Sequence, residues 1–210
     1  MDSRVYLPPK LMLMRQELYI RADWMLAGVS EPPERIAYVK EHKLNLQEIN
    51  AHAGLFAVCL CQVAGQHFDF FPDGVPTAVI EVLAEDGETV IDLVAFPLNA
   101  PERFVTAVGE ADMLGIANMR STEQCKFNKP LLVHRTPLNW LKANCRGCVV
   151  LNPQWGGYWL RRNNREILAE DLAHGRELWA MLRQKYTTRT PLPQFDMKRV
   201  LVPVSREKVA

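Results

Sequence analysis

Two carboxylates interrupt an otherwise apolar run, TAVIEVLAEDGETVIDLVAF over residues 77–96. The Asp86-Gly87 dipeptide between its two β-rich halves reads as a hairpin turn. Counting outward from a two-residue loop sets Glu85 against Glu88 and Glu81 directly against Asp92. Like charges opposed across a ladder cost about 0.2–1 kcal/mol. This register therefore calls for a compensating water, arginine or divalent cation. Two carboxylates on neighbouring strands can hold Mg²⁺ or Mn²⁺, which makes Glu81 and Asp92 candidate metal ligands. The expectation set beside it is an ordinary sheet face, partly solvated or covered by an arginine, and no cofactor is expected outside the metal reading.

A second group lies in NPQWGGYWLRRNNR, residues 152–165. Trp155, Tyr158 and Trp159 are flat enough to stack on bases, and Arg161, Arg162 and Arg165 are suited to phosphate oxygens. The stretch follows an inferred parallel strand, where open α/β sheets bind ligands. The structural alternative is that the aromatics close the core while the arginines sit in water. Glu170, His174 and Glu177 follow at steps of four and three, a spacing that can hold a metal or simply decorate a solvated helix face, and Glu48 and His52 repeat it. Cys145 and Cys148 form a CxxC, but no zinc-ligand spacing accompanies them and Cys148 opens the apolar CVVL, so they read as structural thiols.

The hairpin layout resembles that of metal-dependent nucleases of the PD-(D/E)xK class, which carry one acid on a strand and (D/E)xK on the next. Here Asp92-Leu93-Val94 puts valine at the lysine position, and aligning FPDG with IEVL puts Leu83 there. The resemblance covers some twenty residues and implies at most a degenerate phosphodiesterase. Phosphate-loop, dinucleotide, serine-elbow and HExxH motifs are all missing from the sequence.

The elements that must position these groups read as a mixed α/β or α+β chain. A helical N-terminal segment is expected over 11–27, with Leu11, Met14, Leu18, Trp24 and Met25 on its apolar side, and Ser30 caps a second helix running through EPPERIAYVKEH. Residues 45–64 fit a third helix, apolar all round in its second half. FDFFPDGVP reads as a connection, and the hairpin follows. Asn99, Pro101 and Glu102 open a further helix with Phe104, Val108, Ala111 and Gly115 as its stripe. PLLVH, TPLNWLKAN and GCVVLNP form a parallel βαβ unit over about 130–151. A long helix spans 164–184 on Leu168, Leu172, Gly175, Trp179 and Leu182, and RVLVPV is suited to an edge strand. This organises as a single domain over 1–186, with 1–44 a helical appendage at most, and an extended proline-containing tail over 187–210.

At 48% hydrophobic and 23% charged residues the chain is of ordinary globular composition. Its longest uncharged apolar run, 53–65, is too short for a bilayer, and the N-terminus lacks a signal-peptide core. A cytoplasmic protein without membrane contact is the expectation. Charge is unevenly divided: residues 1–134 hold 11 Lys and Arg against 18 Asp and Glu, whereas 135–210 hold 14 against 6. A basic C-terminal third favours an anionic partner. The functional expectation is a non-catalytic binding protein, with nucleic acid the preferred anion. The alternatives are the degenerate metal-dependent phosphodiesterase and a structural subunit of a homo- or hetero-oligomer.

Overall fold

The computed structural model describes residues 8–22, 33–119, 129–163, 165–184 and 200–203. Helix α1 (Pro9–Ala22) buries Leu11, Met14 and Leu18, spaced by three and four as an amphipathic helix requires. The expected contributions of Trp24, Met25 and the Ser30 cap lie outside the described residues. Helix α2 (Pro33–His42) and a short α3 (Leu46–His52) follow, α3 capped by Asn45 through Gln47 and Glu48 N–H. The third helix ends far sooner than the apolar run predicts. Gly54 takes φ +64°, which stops α3, and the run continues as strand β1 (Phe56–Ala64). Ala57, Cys59 and Cys61 are inward at every second position, which is the period of a strand.

Strands β1, β2 (His67–Phe70), β3 (Val75–Leu83), β4 (Val90–Pro97) and β5 (Val105–Thr106) close into a small mixed barrel in the order β1-β2-β5-β4-β3. All neighbours are antiparallel except β2 and β5, which meet in parallel at His67 and Thr106. Part of the expected connection after residue 67 is thus β2. The β3–β4 hairpin forms as expected, and Leu83 opposes Val90. One residue further on the ladder takes up Ile91 as an extra residue, so Val82 opposes Asp92 and Glu81 opposes Leu93. The directly opposed carboxylate pair is therefore corrected by a β-bulge. Successive ladder positions face opposite ways, so Glu81 and Asp92 project to different sides.

The predicted helix from Asn99 does not form. Strands β5 and β6 (Met113–Leu114) flank a loop instead, and a 3₁₀ turn covers Ile116–Met119. Next come β7 (Leu131–His134), α4 (Pro137–Lys142), β8 (Cys148–Val150), α5 (Pro153–Arg162), β9 (Ile167–Leu168), α6 (Leu172–Arg183) and β10 (Val200–Leu201). The expected helix over 164–184 thus begins at Leu172, behind an Asp171 cap, and Leu168 belongs to β9. These strands form a second sheet in the order β10-β9-β7-β8-β6, with β7 and β8 parallel as the βαβ reading requires. Strand β6 is antiparallel to β8 at one edge, and β10 is parallel to β9 at the other.

The core has three parts. One joins α1 to Ala57, Cys61, Phe68, Val79, Leu93 and Ala95 of the barrel. Another joins barrel residues Phe56, Ile80, Val94 and Phe96 to Leu138, Trp140 and Leu141 of α4. The third packs Leu160 of α5 and Leu178 and Leu182 of α6 on Leu131, Val133 and Ile167. Helix α4 thus covers one face of the second sheet, and α5 and α6 cover the other. Among the described residues no helix is long and apolar enough to cross a membrane.

Candidate functional site

Helix α5 is fixed at its start by Asn152, whose side chain accepts from Gln154 N–H at 3.1 Å, with Pro153 in the first turn. It lies close to the sheet because Gly156 faces Val150: a Cβ there would stand 2.4 Å from Val150 Cγ1. Its aromatic side chains form an edge-to-face row. Trp155 and Tyr158 are 6.1 Å apart between centroids, and Tyr158 and Trp159 5.5 Å apart. Trp159 donates from Nε1 to Asp112 Oδ2 at 2.8 Å, while Asn152 Nδ2 donates to Asp112 Oδ1 at 3.0 Å. Trp159 therefore anchors α5 to the turn before β6, and all three rings are half-buried.

The three arginines divide by role. Arg162 is exposed, its guanidinium 5.2 Å from the Trp159 centroid and 5.7 Å from that of Tyr158. Arg161 donates from Nη2 to the Gln184 carbonyl, which ties the end of α5 to the end of α6. Arg165 donates from Nε to Lys129 O at 2.8 Å and from Nη2 to Pro130 O at 3.1 Å, beside the start of β7. Arg161, Arg162 and Arg183 thus lie in the last turns of α5 and α6, and Lys129 and Arg165 lie just before β7 and β9, with the Arg183 guanidinium 4.8 Å from the Trp179 centroid. Lys129 and Arg183 escaped the reading of the sequence. The one signal available was Arg183 four residues after Trp179 in a last helical turn.

At the opposite ends of the parallel strands lies a polar network. Connections leave β7 and β9 toward opposite faces, which makes the gap between their carboxyl ends the switch point of the sheet. His134 closes β7, and its Nδ1 lies 3.2 Å from Glu170 Oε1 while Nε2 lies 2.9 Å from the Arg146 carbonyl. Asn139 of α4 donates to both Glu170 oxygens, at 2.9 and 3.0 Å. His174 is buried, and its Nδ1 accepts from Glu170 N–H at 3.3 Å. Burial holds its pKa below the usual histidine range. Arg135 spans Asp171 and Glu177, each at 3.3 Å. These groups answer one another, and Glu170 lies ahead of the helix rather than on a shared face with Glu177.

The hairpin carboxylates are likewise occupied by the protein itself. Glu81 accepts from Arg15 Nε at 2.7 Å and from Leu55 N–H at 2.9 Å. Asp92 is fully buried and accepts five backbone N–H groups: Leu93, Ala107 and Val108 at Oδ1, Glu110 and Ala111 at Oδ2, over 2.8–3.2 Å. Four of those donors, Ala107, Val108, Glu110 and Ala111, lie in the stretch expected to be helical, and their N–H groups bond Asp92 instead of helix carbonyls. Among the described residues no three His, Cys, Asp or Glu side chains converge as a metal-binding set. Glu48 and His52 form a surface pair at 3.4 Å. Cys145 and Cys148 are buried and unbridged in different parts of the core, and burial pushes both thiols up to about 12. No family model, curated protein or solved structure matches the chain.

Proposed function

We propose that the protein is a non-catalytic cytoplasmic binding module that takes an anionic polymer, nucleic acid first, on the basic pole where α5 and α6 end. The observation that supports this reading is that the Arg161–Gln184 bond ties the ends of α5 and α6 together, which brings the last turns that carry Arg161, Arg162 and Arg183 to one end of the fold. Helix macrodipoles favour cations at the two helix ends. Lys129 and Arg165 lie instead just before β7 and β9. In this reading the exposed Arg162, which rests on the Trp159 ring, meets phosphate oxygens, and the rings offer a stacking surface beside it. Trp159 positions α5 in this reading, so the surface contribution falls to Arg162 with Tyr158 and Trp155.

Anisotropy of labelled single- and double-stranded DNA and RNA at two salt concentrations tests the proposal. Wild-type protein is expected to bind with affinity that falls steeply as salt rises. Arg162→Glu with Arg183→Glu is expected to weaken binding at least about tenfold and to flatten the salt slope by about two phosphate contacts. Absence of low-salt binding, or equal binding by the variant, overturns it.

The oligomer reading has one observation of its own. Met12, Leu13, Tyr19 and Ile20 of α1 are all exposed, Ile20 at 70%. Mass measurement in solution decides it, since a strict monomer removes the reason for that stripe.

A further inference from the structure

The loop between α4 and β8 is strained and is pinned by side chains. Asn144 and Cys145 take φ of +54° and +56°, a left-handed backbone that costs a residue with a Cβ free energy, and Gly147 follows at +81°. A Cβ on Gly147 would stand 2.3 Å from Leu132 O, so the loop lies directly on β7. Asn118 Nδ2 donates to Cys145 O at 2.6 Å and to Gly147 O at 3.1 Å, and Trp140 Nε1 donates to Gly147 O at 3.1 Å. The Arg146 carbonyl between them meets His134 Nε2 at 2.9 Å. Amide and indole donors keep their protons in the ordinary pH range, whereas an imidazole exchanges one.

Both ring nitrogens of His134 face oxygens that carry no hydrogen. Nε2 faces the Arg146 carbonyl, and Nδ1 lies 3.2 Å from Glu170 Oε1. A neutral imidazole has one N–H and an imidazolium has two. The doubly protonated ring, beside an ionised Glu170, is therefore the form that makes both bonds. Asn139 of α4 orients that carboxylate by donating to both of its oxygens. The Arg146 side chain is exposed. Behind Glu170 stand His174, whose Nδ1 accepts from Glu170 N–H, and Arg135 with Asp171 and Glu177.

We propose that His134 is a pH-operated latch: its doubly protonated ring holds the Arg146 carbonyl and keeps residues 144–147 on β7, and loss of the Nε2 proton to solvent releases them. In the neutral ring the Glu170 carboxylate retains the Nδ1 proton. The bare Nε2 then faces the carbonyl oxygen, lone pair against lone pair, and the strained backbone relaxes. The loop is closed in acid and open in alkali, and the device is independent of the anion-binding reading.

Imidazole nitrogen-15 spectra and amide exchange of the full chain, recorded from about pH 5 to about pH 9, test it. Two protonated ring nitrogens are expected for His134 at the acid end and Nδ1–H alone at the alkaline end. The Cys145 and Arg146 amides bond Trp140 O and Ala143 O. Their exchange protection, corrected for intrinsic base catalysis, is expected to fall at least about tenfold with the midpoint of the Nε2 proton. In Glu170→Gln the side-chain NH₂ donates to Nδ1, a neutral ring makes both bonds, and protection is expected to stay high throughout. His174→Gln is expected to keep the wild-type response, which separates the latch from the neighbouring histidine. A His134 ring with one proton at the acid end or two at the alkaline end overturns the proposal. So does Arg146 protection that ignores loss of the Nε2 proton, or a Glu170→Gln response equal to that of wild type.

Discussion

Asp92 shows how a single buried carboxylate can organise a loop. Five peptide N–H groups converge on it from two segments. Charge-assisted bonds of this kind are the stronger ones, and leaving their donors unanswered costs more than making them gains. Asp92→Asn keeps one acceptor oxygen but turns an NH₂ group toward Glu110 and Ala111 N–H, so a loss of at least about 3 kcal/mol is expected by denaturant unfolding. An unchanged midpoint would show that the loop holds itself. His174 makes the second prediction at this scale. Burial lowers its folded pKa, so the neutral ring is favoured in the folded state. Its stabilising contribution is present above the ordinary histidine pKa of about 6.5 and is lost as pH falls through the lower folded value. Denaturant midpoints measured across that window are expected to drop in wild-type protein and to flatten in His174→Gln. His42 is shifted in the same direction and supplies a residual slope.

At the scale of elements, α1 is held to the barrel by Leu11, Met14 and Leu18 and by the Arg15–Glu81 pair. Glu81 is 3% exposed while the Arg15 side chain is 34% exposed, so the pair is half screened. Removing the arginine leaves the carboxylate with Leu55 N–H alone. Arg15→Ala is expected to cost about 2 kcal/mol and to raise hydrogen exchange across α1, an effect that prior Glu81→Gln substitution largely cancels. Elements of this kind were legible where local chemistry agreed with the fold: the periodic leucines of α1, the Asp-Gly turn, and the short helix between two parallel strands. Residues 53–65 were not legible, because a fully apolar run serves a buried helix and a barrel strand equally, and Gly54 at φ +64° decides between them. The hairpin register was legible only as far as Leu83 and Val90. No residue type announces a bulge at Ile91, so the apparent pairing of Glu81 with Asp92 rested on a count that the bulge shifts by one. The basic pole was half legible, since Arg161 and Arg162 are adjacent in sequence whereas Arg183 joins them only through the Arg161–Gln184 bond.

At the scale of the molecule, the barrel and the second sheet share a core: Phe56, Ile80 and Phe96 pack in one cluster with Leu138, Trp140 and Leu141. Neither half keeps its apolar surface covered without the other. A single cooperative unfolding transition is expected, with tryptophan fluorescence and far-ultraviolet circular dichroism coinciding, and Leu141→Ala is expected to shift both midpoints together by about 2–5 kcal/mol. Two separated transitions would refute the shared core. The second sheet also has an order of assembly written into it. Strand β9 pairs on one side with β7, which precedes it, and on the other with β10, which follows it much later in the chain. Ala169 N–H bonds Leu201 O at 2.9 Å, and Gly175 leaves room for Val202, whose Cγ2 would lie 3.0 Å from a Cβ there. During vectorial synthesis on the ribosome, β9 therefore emerges with one flank open until Val200–Leu201 arrives. For that interval the nascent chain offers an unpaired strand edge to its neighbours on the same messenger, which makes slow elongation between the two strands a point of exposure to co-translational aggregation.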